Sequence, residues 1–593
     1  MRNYLLKTLY ISGVLLLTSC VQLQNKSAEN AKNEGWPSFG RDYTSQRFAP
    51  ATQINTANVQ TLVQAWKVNT GVTGSFQTTP IVQDGVMYLS LPFNHVVALN
   101  ATTGKELWRY KHDRRKDWAM CCGPANRGVA VSGGRVFIGT VDARLIALNA
   151  KTGAKEWDID VVENAITTEG QDSLSKDDPN SARKVTGGTG IGIAMAPVVY
   201  KGKVIVGITG VGYGLHIDNP TADAPLGAVI GVTGRYGRPG FLAAYSVETG
   251  EKYWQFDTIP QTGWEGKFAE KLEDGATFNR DIAQEKADMA KYPDAARFGG
   301  GSAWSTPAID TETDTLYFGT GNPSPQMNDV SRPGDNLYTV SLVALDVNTG
   351  LRRWHYQQVP HDLWGYDLAS PPVLFNYNFN GKMVAAIGQA SKTGWFYIHN
   401  RATGELLKKS DAFVPQLNMF KKATKEGIVI YPGILGGSNW SPVSVDEANQ
   451  RVFIEGIHAP IKYTLHEPAA GDKSAIRYAA SEPTKDPRWG LLSAIDLKSG
   501  KIAWQNKTAQ PLLGGVLATA GGLVFIGEGD GHFNAYNSQT GALLWQTKSE
   551  FGVNAPPITY TISGVQYIAV ASGGNSIFGF KQGDAVLVYS LKQ

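Results

Sequence analysis

Two adjacent cysteines, one lysine and two aspartates in this sequence have types and spacings that could do chemistry. Cys121 and Cys122 are neighbours, Lys392 lies in a short polar segment, and Asp362 and Asp367 flank the Trp-Gly-Tyr of residues 364–366. A carboxylate can take the proton of a substrate hydroxyl, and a nearby ammonium can stabilise a developing negative charge. The alternatives are a hydrogen-bonded pair of His361 and Asp362 at a strand end and a solvated turn lysine.

The cysteine pair is unusual because its two residues are adjacent. Adjacent Cα atoms are about 3.8 Å apart across a trans peptide, below the usual 4.4–6.8 Å of disulfide-bonded cysteines. A bond between Cys121 and Cys122 would therefore close a strained ring. Two reduced or unrelated thiols are the alternative.

Composition limits what kind of protein can carry these residues. The chain has 593 residues, of which 42% are hydrophobic and 18% charged, so it can build a core and is not disordered. Glycine accounts for 66 of the 593 residues. This share is above the usual value of about 7%, and it favours many tight turns. The formal net charge is only +3, and the sequence carries no basic footprint for nucleic acid.

The N-terminus predicts export and lipidation. Residues 1–19 contain Arg2 and Lys7, followed by an apolar run too short to remain as a membrane span. The run ends in Leu-Thr-Ser-Cys at residues 17–20, which resembles the lipobox of bacterial lipoproteins, in which the cysteine is lipidated. We expect a signal peptide over 1–19, a lipid on Cys20, a flexible tether over 20–35 and a location on the periplasmic side of the outer membrane. An ordinary secretory signal is the alternative.

The body of the chain is a repeat. Seven segments resemble VVALNATTGKELW, and in six of them a tryptophan follows the turn glycine by four residues. Each copy reads as a strand, a tight turn and a second strand. Spacings of about 40–55 residues, or roughly double that, are typical of propeller blades. The repeated tryptophans are expected to pack between blades.

The repeat predicts an all-β fold, an eight-bladed β-propeller over residues 36–593, with seven blades as the main competitor. The doubled spacings imply hidden strands near residues 198–204 and 450–454. Residues 264–298 carry helix formers and predict a short helical insertion.

The repeats and seven local motifs together resemble the quinoprotein alcohol dehydrogenases, which are eight-bladed propellers that bind pyrroloquinoline quinone (PQQ). The likeness runs from about residue 36 to the end of the sequence. The motifs lie at residues 121–128, 299–304, 317–323, 361–364, 390–394, 437–440 and 514–521.

The resemblance implies a cofactor site. PQQ is a flat ortho-quinone with three carboxylates, so its site needs two ring faces, cations or donors, and an electrophile. In this family a disulfide like one between Cys121 and Cys122 lies over one face, and Trp304 would stack on the other. The family implies two cationic contacts to PQQ, from Arg127 and Lys392. It also implies polar or backbone contacts, some of which could equally be turn residues, from Thr209, Gly210, Ser302 and Asn439.

The sequence departs from the family at the metal and the base. Family members hold calcium or a lanthanide beside PQQ with a Glu, an Asn and, often, Asp residues. Asn322 matches the Asn, but the Glu position falls at Gly212 or Arg235, and the usual catalytic Asp falls at Gly365. Asp367 matches an extra Asp of lanthanide-using members and is a candidate metal ligand and base. Alternative candidates for the base are Asp362 and, in the long insert, Asp218 or Asp223.

Three functions follow from these expectations. The first is a PQQ-dependent dehydrogenase of alcohols or sugars that passes electrons to a separate periplasmic cytochrome c or a quinone, since no Cys-x-x-Cys-His haem motif occurs. The second is a non-catalytic propeller scaffold of the outer-membrane-assembly lipoprotein type, which needs no cysteine pair. The third is a PQQ-binding protein without turnover.

Overall fold

The structure is a computed structural model. It describes residues 33–115, 124–162, 185–186, 191–209, 215–217, 228–230, 238–272, 275–277, 280–293, 295–324, 326–327, 329, 331–467 and 478–592. The signal segment 1–19, Cys20, Cys121, Cys122 and Gly210 lie outside the described residues, as do Gly212, Asp218, Asp223 and Arg235.

Antiparallel sheets of four strands are the repeating unit of the described chain: seven sheets have four strands, and an eighth carries a fifth, parallel strand, Phe48–Ala49, at its edge. We call these sheets blades 1 to 8. The strands of blades 1 to 4, in chain order, are Ile81–Gln83, Val86–Ser90, Val96–Asn100, Glu106–Tyr110; Ala130–Ser132, Arg135–Gly139, Arg144–Asn149, Lys155–Asp160; Val198–Tyr200, Lys203–Gly207, Phe241–Ser246, Lys252–Asp257; and Ala308–Asp310, Thr315–Gly319, Ser341–Asp346, Arg352–Gln357.

Blades 5 to 8 complete the propeller. Their strands are Val373–Phe379, Lys382–Ala390, Phe396–Asn400, Leu406–Lys409; Ser444–Asp446, Arg451–His458, Trp489–Asp496, Ile502–Thr508; Leu517–Thr519, Leu523–Gly527, His532–Asn537, Leu543–Lys548; and Ile558–Ile562, Val565–Ser572, Gly583–Leu591, Leu62–Gly74. The β-propeller prediction is confirmed, both hidden strands are present, and the eight sheets are consistent with eight blades.

Blade 8 joins the two ends of the chain. Its outer strand, Leu62–Gly74, comes from the N-terminal region and pairs antiparallel with Gly583–Leu591 from the C-terminal region. This pairing gives the last blade its fourth strand, so the circle closes through main-chain hydrogen bonds. This closure fixes the positions of the blades, and so of the loops between them, relative to one another.

The repeated tryptophans pack between blades, as expected. At five junctions the indole N–H of a repeat tryptophan donates to a backbone carbonyl of the following blade over 2.9–3.2 Å. The sixth repeat tryptophan, Trp545, packs against Tyr589 of blade 8. Trp66 of blade 8, which lies outside the repeat, donates to the carbonyl oxygen of Ala101 over 3.2 Å.

The indole ring at a junction also covers the turn glycine of the following blade: a Cβ on Gly350 would lie 2.6 Å from the ring of Trp254. Gly350 has a φ of +73°, which favours glycine as well.

Lys408 replaces the tryptophan in the one repeat copy that lacks it. Its ammonium donates to the carbonyl oxygen of Lys498 over 3.0 Å, and its aliphatic stem lies against Gly500. The lysine thus supplies the same donor and some of the same apolar cover at the junction of blades 5 and 6.

A strap from the N-terminal region crosses the first strands of four blades. Backbone carbonyls of Tyr43, Thr44, Gln46 and Arg47 accept hydrogen bonds from residues in blades 4, 5, 6 and 7, in that order. Main-chain pairing begins earlier still, because Glu34 bonds in both directions to Thr561. Residue 34, which the sequence assigns to the tether, is therefore part of the folded body.

Further elements decorate the blades. Phe48–Ala49 runs parallel to the first strand of blade 7. The insertion before blade 4 contains the helix Ile282–Asp288, whose N-terminal Asp281 accepts the Gln284 N–H. Short 3₁₀ turns lie at Val59–Thr61, Pro92–Asn94, Met289–Lys291 and Ala295–Phe298. One small sheet consists of Val185–Thr186, Leu215–Ile217 and Ala228–Ile230, and a second consists of Ile428–Ile430, Ile461–His466 and Tyr478–Pro483. Within the described ranges, no helix has the length and apolar character to cross a bilayer.

Candidate active site

The turn between blades 4 and 5 presents Asp367. The carboxylate of Asp362 accepts backbone N–H groups of Trp364, Gly365 and Tyr366 over 3.0–3.1 Å. Complete burial raises the pKa of Asp362 to about 6, although these N–H donors oppose the rise. Since its oxygens are engaged with the backbone and hidden from solvent, Asp362 holds the turn rather than facing a substrate.

His361 is directed away from Asp362. Its Nδ1 lies 2.7 Å from the carbonyl oxygen of Gly334, and its Nε2 lies 3.7 Å from a carboxylate oxygen of Asp329. Burial lowers the pKa of His361. The sequence alternative of a hydrogen-bonded His361–Asp362 pair is not what the structure shows; each side chain anchors a different part of the loop.

Asp367 is the point where the candidate residues meet. Its Oδ1 lies 3.3 Å from Lys392 Nζ, and its Oδ2 accepts the indole N–H of Trp304 over 3.1 Å. The side-chain amide of Asn322 also lies against this carboxylate; with its oxygen and nitrogen exchanged, Nδ2 would donate to Oδ1 over 2.7 Å and to Oδ2 over 3.2 Å. The structure therefore brings together four residues that lie up to 88 positions apart in the sequence.

The position of the usual family base has no room for a side chain. Gly365 has a φ of +80°, and a Cβ there would lie 2.7 Å from Cγ1 of Ile434 and 2.8 Å from Nε2 of Gln326. Lys392 Nζ also donates to the carbonyl oxygen of Gly365 over 2.9 Å. Asp367 is thus the carboxylate that this turn places beside Lys392 and Trp304.

Arg127 lies between two tryptophans. Its guanidinium carbon is 4.9 Å from the ring centroid of Trp304 and 5.3 Å from that of Trp440, and its Nη1 donates to the carbonyl oxygen of Ala194. The side chain is almost fully buried. A buried guanidinium beside a partly exposed aromatic ring suits a planar anion.

Buried polar atoms without partners lie next to these groups. Asn439 donates from Nδ2 to the carbonyl oxygen of Leu435 over 3.0 Å. Its Oδ1, the hydroxyl of Ser438 and the indole N–H of Trp440 are buried and meet no hydrogen-bond partner among the described residues. Because buried polar groups are normally paired, such atoms indicate a polar ligand at this place.

Two of the predicted contact residues, Thr209 and Ser302, make main-chain rather than side-chain contacts in the described part of the chain. Thr209 and Ser302 are both partly exposed, and the contacts seen for them are main-chain bonds, from Thr209 N to Gly192 O and from Gly321 N to Ser302 O. Gly210, Cys121 and Cys122 lie outside the described residues.

Gln326, Ile434 and Trp440 are site residues that sequence reasoning missed. Trp440 ends the motif at residues 437–440, of which sequence reasoning assigns only Asn439 as a contact. Gln326 and Ile434 lie in irregular loops, and neither has a spacing that would place it against Gly365. Only the fold reveals that they fill this space.

The donor set fits PQQ. Arg127 and Lys392 offer buried positive charge for carboxylate and quinone oxygens, Trp304 offers a ring face, and Asn439 and Trp440 offer polar atoms without partners among the described residues. Hard cations such as Ca²⁺ take 6–8 oxygen ligands, and among the residues that the structure describes no group of three or more His, Cys, Asp or Glu side chains could hold a metal ion.

The fold and the site define a β-propeller in which the buried cations Arg127 and Lys392 lie beside Trp304 and Asp367. The family model for the glucose/ethanol/alcohol dehydrogenase β-propeller domain (PQQ) matches residues 36–418 and 410–568. The chain belongs to this PQQ-dependent alcohol dehydrogenase family, and the resemblance inferred from the motifs is confirmed.

Individual relatives agree with the family. The quinohemoprotein alcohol dehydrogenase of Comamonas testosteroni is 33% identical over 582 residues, which cover 93% of this chain and 74% of that protein. The quinoprotein alcohol dehydrogenase PedH of Pseudomonas putida is 32% identical, over 90% of this chain and 85% of that protein.

Solved structures show the same architecture. The crystal structure of the Comamonas testosteroni enzyme superposes with a TM-score of 0.75, at 30% identity, over 95% of this chain and 81% of that chain. A europium-containing methanol dehydrogenase also gives 0.75, at 25% identity, over 94% of this chain and 98% of that chain.

Proposed function

We propose that this protein oxidises alcohols with PQQ at the Asp367 site, is held by a lipid on Cys20 at the periplasmic face of the outer membrane, and delivers electrons to a separate acceptor. Membership of the family supports PQQ-dependent oxidation of CH–OH groups. The observation that carries the assignment of roles is the meeting of Asp367, Lys392 and Trp304 within hydrogen-bond distance.

Each residue has a defined task in this proposal. PQQ, when bound, supplies a quinone carbonyl that accepts the hydrogen and electron pair of the carbinol carbon. Asp367 accepts the hydroxyl proton, and Lys392 stabilises the negative charge that develops on the neighbouring oxygens. Arg127 would form an ion pair with a carboxylate of PQQ, and Trp304 would stack on the PQQ ring.

The walls beside this site are apolar. Leu513, Phe578, Phe580, Ile457 and Ala459 pack in one cluster with Trp440, against which Trp304 and Leu435 lie. Such walls exclude water and favour an alcohol with a carbon chain or ring over a sugar, whose hydroxyls would need partners there.

A steady-state assay tests the activity. Purified protein, loaded with PQQ, is offered primary alcohols, secondary alcohols and aldose sugars with an artificial redox dye as the electron acceptor. Alcohol-dependent dye reduction that requires PQQ supports the proposal. PQQ binding without any turnover would instead indicate a quinone carrier, and preference for sugars would contradict the substrate class.

The lipid anchor is tested separately. Cells that express the wild-type chain or Cys20→Ala are fractionated after labelling with a palmitate analogue. The proposal expects label and outer-membrane association in the wild type, and neither in the variant. A wild-type chain found unlabelled in the soluble periplasm would overturn the anchor and leave the enzymatic proposal intact.

A further inference from the structure

The N-terminal strap bonds to the first strand of six blades and passes two by. Reciprocal pairs of main-chain hydrogen bonds join Glu34 to Thr561 of blade 8 and Trp36 to Val82 of blade 1, and single main-chain bonds reach blades 4 to 7. Between Trp36 and Tyr43 the strap makes no main-chain hydrogen bond to the first strand of blade 2 or of blade 3. The inner edges of these two blades are therefore left without the cover that the other six have.

Val131 in blade 2 and Val199 in blade 3 are the residues at these edges that match Val82 in blade 1. A two-residue turn follows each first strand, at residues 133–134 and 201–202, and all four turn residues have positive φ. A turn of this kind is closed by a hydrogen-bonded pair, so the N–H and C=O of the preceding residue face away from the blade. Val82, which stands at the same place before its turn, directs both groups to Trp36.

The outward main-chain groups of the two valines have one partner between them. The hydroxyl of Tyr43 donates to the carbonyl oxygen of Val199 over 2.8 Å. Within the described ranges, neither valine N–H meets an acceptor and the carbonyl oxygen of Val131 meets no donor. A strand edge with free N–H and C=O groups is a template for pairing with another chain.

A cavity lies along these two edges. Its walls are residues 37–45 of the strap, except 41 and 44, together with residues 129–132, 197–199 and 306–307 at the first strands of blades 2, 3 and 4. The space measures about 510 Å³ and is open to solvent on one side, which is within the range of about 300–1,000 Å³ typical of ligand sites. The buried hydroxyl of Ser38 in its wall has no partner among the described residues.

The charged groups of the strap at this cavity are already engaged. Arg41 is paired with Glu34, and the carboxylate of Asp42 accepts the N–H of Thr44 over 2.9 Å. What the cavity offers to a ligand is main-chain N–H and C=O groups, hydroxyls, and the apolar surface of valine and proline side chains. This set suits a polypeptide backbone with small, uncharged side chains.

We propose that the cavity binds an extended segment of a partner polypeptide, which pairs with blades 2 and 3 as the strap pairs with the other six. One residue of the segment makes the reciprocal pair of bonds with Val131 that Trp36 makes with Val82. A carbonyl one or two residues further along accepts the N–H of Val199, because the bonding carbonyls of the strap at blades 4 to 7 are one or two residues apart. Continuity with the strap identifies the occupant as peptide backbone, and the site does not depend on the proposed oxidation of alcohols.

Titration with a short capped peptide tests the site. The purified protein, labelled with ¹⁵N on valine, is titrated with acetyl-Ala-Ala-Ala-amide, and the two amide resonances are assigned by their loss in Val131→Ile and Val199→Ile. We expect saturable shifts of both resonances with a dissociation constant of about 1 mM or less. The same peptide methylated on its three alanine nitrogens cannot donate to the Val131 carbonyl and should bind at least about tenfold more weakly.

A substitution at the edge tests the same bonds from the side of the protein. Val131→Pro removes the outward N–H, and proline is tolerated at a strand edge where that N–H faces away from the ladder. We expect it to weaken peptide binding at least about tenfold, whereas the matched control Val131→Ala keeps the N–H and should bind as the wild type does.

Three results would overturn the proposal. The first is absence of saturable binding to the wild type, whatever else fills the cavity. The second is equal affinity for the methylated and unmethylated peptides, which can be measured even if Val131→Pro fails to fold. The third is a folded Val131→Pro variant that binds the peptide as tightly as Val131→Ala.

Discussion

The ammonium of Lys392 lies 3.3 Å from Oδ1 of Asp367 and 2.9 Å from the carbonyl oxygen of Gly365. This contact joins blade 5 to the turn before it, and it pairs a buried ammonium with a carboxylate. The chemistry proposed for the protein depends on this pair, since one member accepts a proton and the other stabilises negative charge.

Replacement of Asp367 by asparagine should stop turnover and spare the fold. The amide keeps the size of the side chain but cannot accept a proton, and loss of a general base typically costs about 10²–10⁴-fold in rate. We expect kcat for alcohol oxidation to fall by at least about 100-fold, while PQQ affinity changes by less than about tenfold. Dye reduction and fluorescence titration measure the two quantities. Retention of wild-type kcat would show that another group takes the proton.

Removal of the Trp304 ring should impair cofactor binding. Trp304→Ala deletes the proposed stacking face and one donor to Asp367, so we expect PQQ affinity to fall by at least about tenfold. Trp304→Phe keeps a ring and should recover part of the loss. As a control, Trp354→Phe alters a blade junction and should leave PQQ affinity unchanged. Unchanged affinity in Trp304→Ala would contradict the placement of the cofactor.

Restoring the family aspartate should harm the protein rather than help it. In Gly365→Asp the new Cβ would meet Ile434 and Gln326 at under 3 Å, and the backbone there has a φ of +80°. We expect Tm to fall by several degrees with no gain in kcat. The double variant Gly365→Asp/Ile434→Ala relieves one collision and should recover part of the Tm. A rise in kcat for the single variant would contradict the closed site.

Glu455 should make stability depend on pH. Complete burial raises the pKa of Glu455 to about 8, although the Gly515 N–H donates to it over 2.6 Å. Because the folded pKa lies above the unfolded one, this contribution to stability is fully present below about pH 4.5 and is lost as pH rises towards about 8.

Glu455→Gln does not titrate, so its Tm should improve relative to wild type between about pH 5 and about pH 8. Thermal unfolding of the two proteins at several pH values measures this difference. A Tm difference between Glu455→Gln and wild type that stays constant with pH would contradict the account.

The blade junctions should differ in strength. Trp254→Ala removes a buried ring that covers Gly350 and donates to Val347, and we expect it to cost about 3–5 kcal/mol in the free energy of unfolding. Lys408→Ala at the junction without a tryptophan should cost under about 1 kcal/mol, because a lysine stem buries less apolar area. Denaturant unfolding compares them, and equal losses would argue against tryptophan docking as the dominant contact.

The sequence predicts the propeller well because its signal is local and repeated. An Asn or Asp, a Thr-Gly turn and a following tryptophan recur in most copies. The structure shows the physical reason: the Asn100 side chain accepts the N–H groups of Thr102 and Thr103, and the indole of Trp66 covers that turn. Motif resemblance likewise locates Arg127, Trp304, Lys392 and Asn439 near one another.

The contacts among loops could not be predicted in the same way. That Gln326 and Ile434 occupy the space at Gly365 depends on how separate loops meet. No period in the sequence encodes such meetings, because each loop is positioned by its blade and not by its neighbours along the chain.

The most direct test of the central claim is an anaerobic single turnover. Protein loaded with one equivalent of PQQ is mixed with a primary alcohol in the absence of any electron acceptor, and the absorbance of the bound cofactor is followed. The account predicts stoichiometric reduction of PQQ with release of one aldehyde per chain, in wild type and not in Asp367→Asn. Bound PQQ that stays oxidised in the wild-type protein would contradict it.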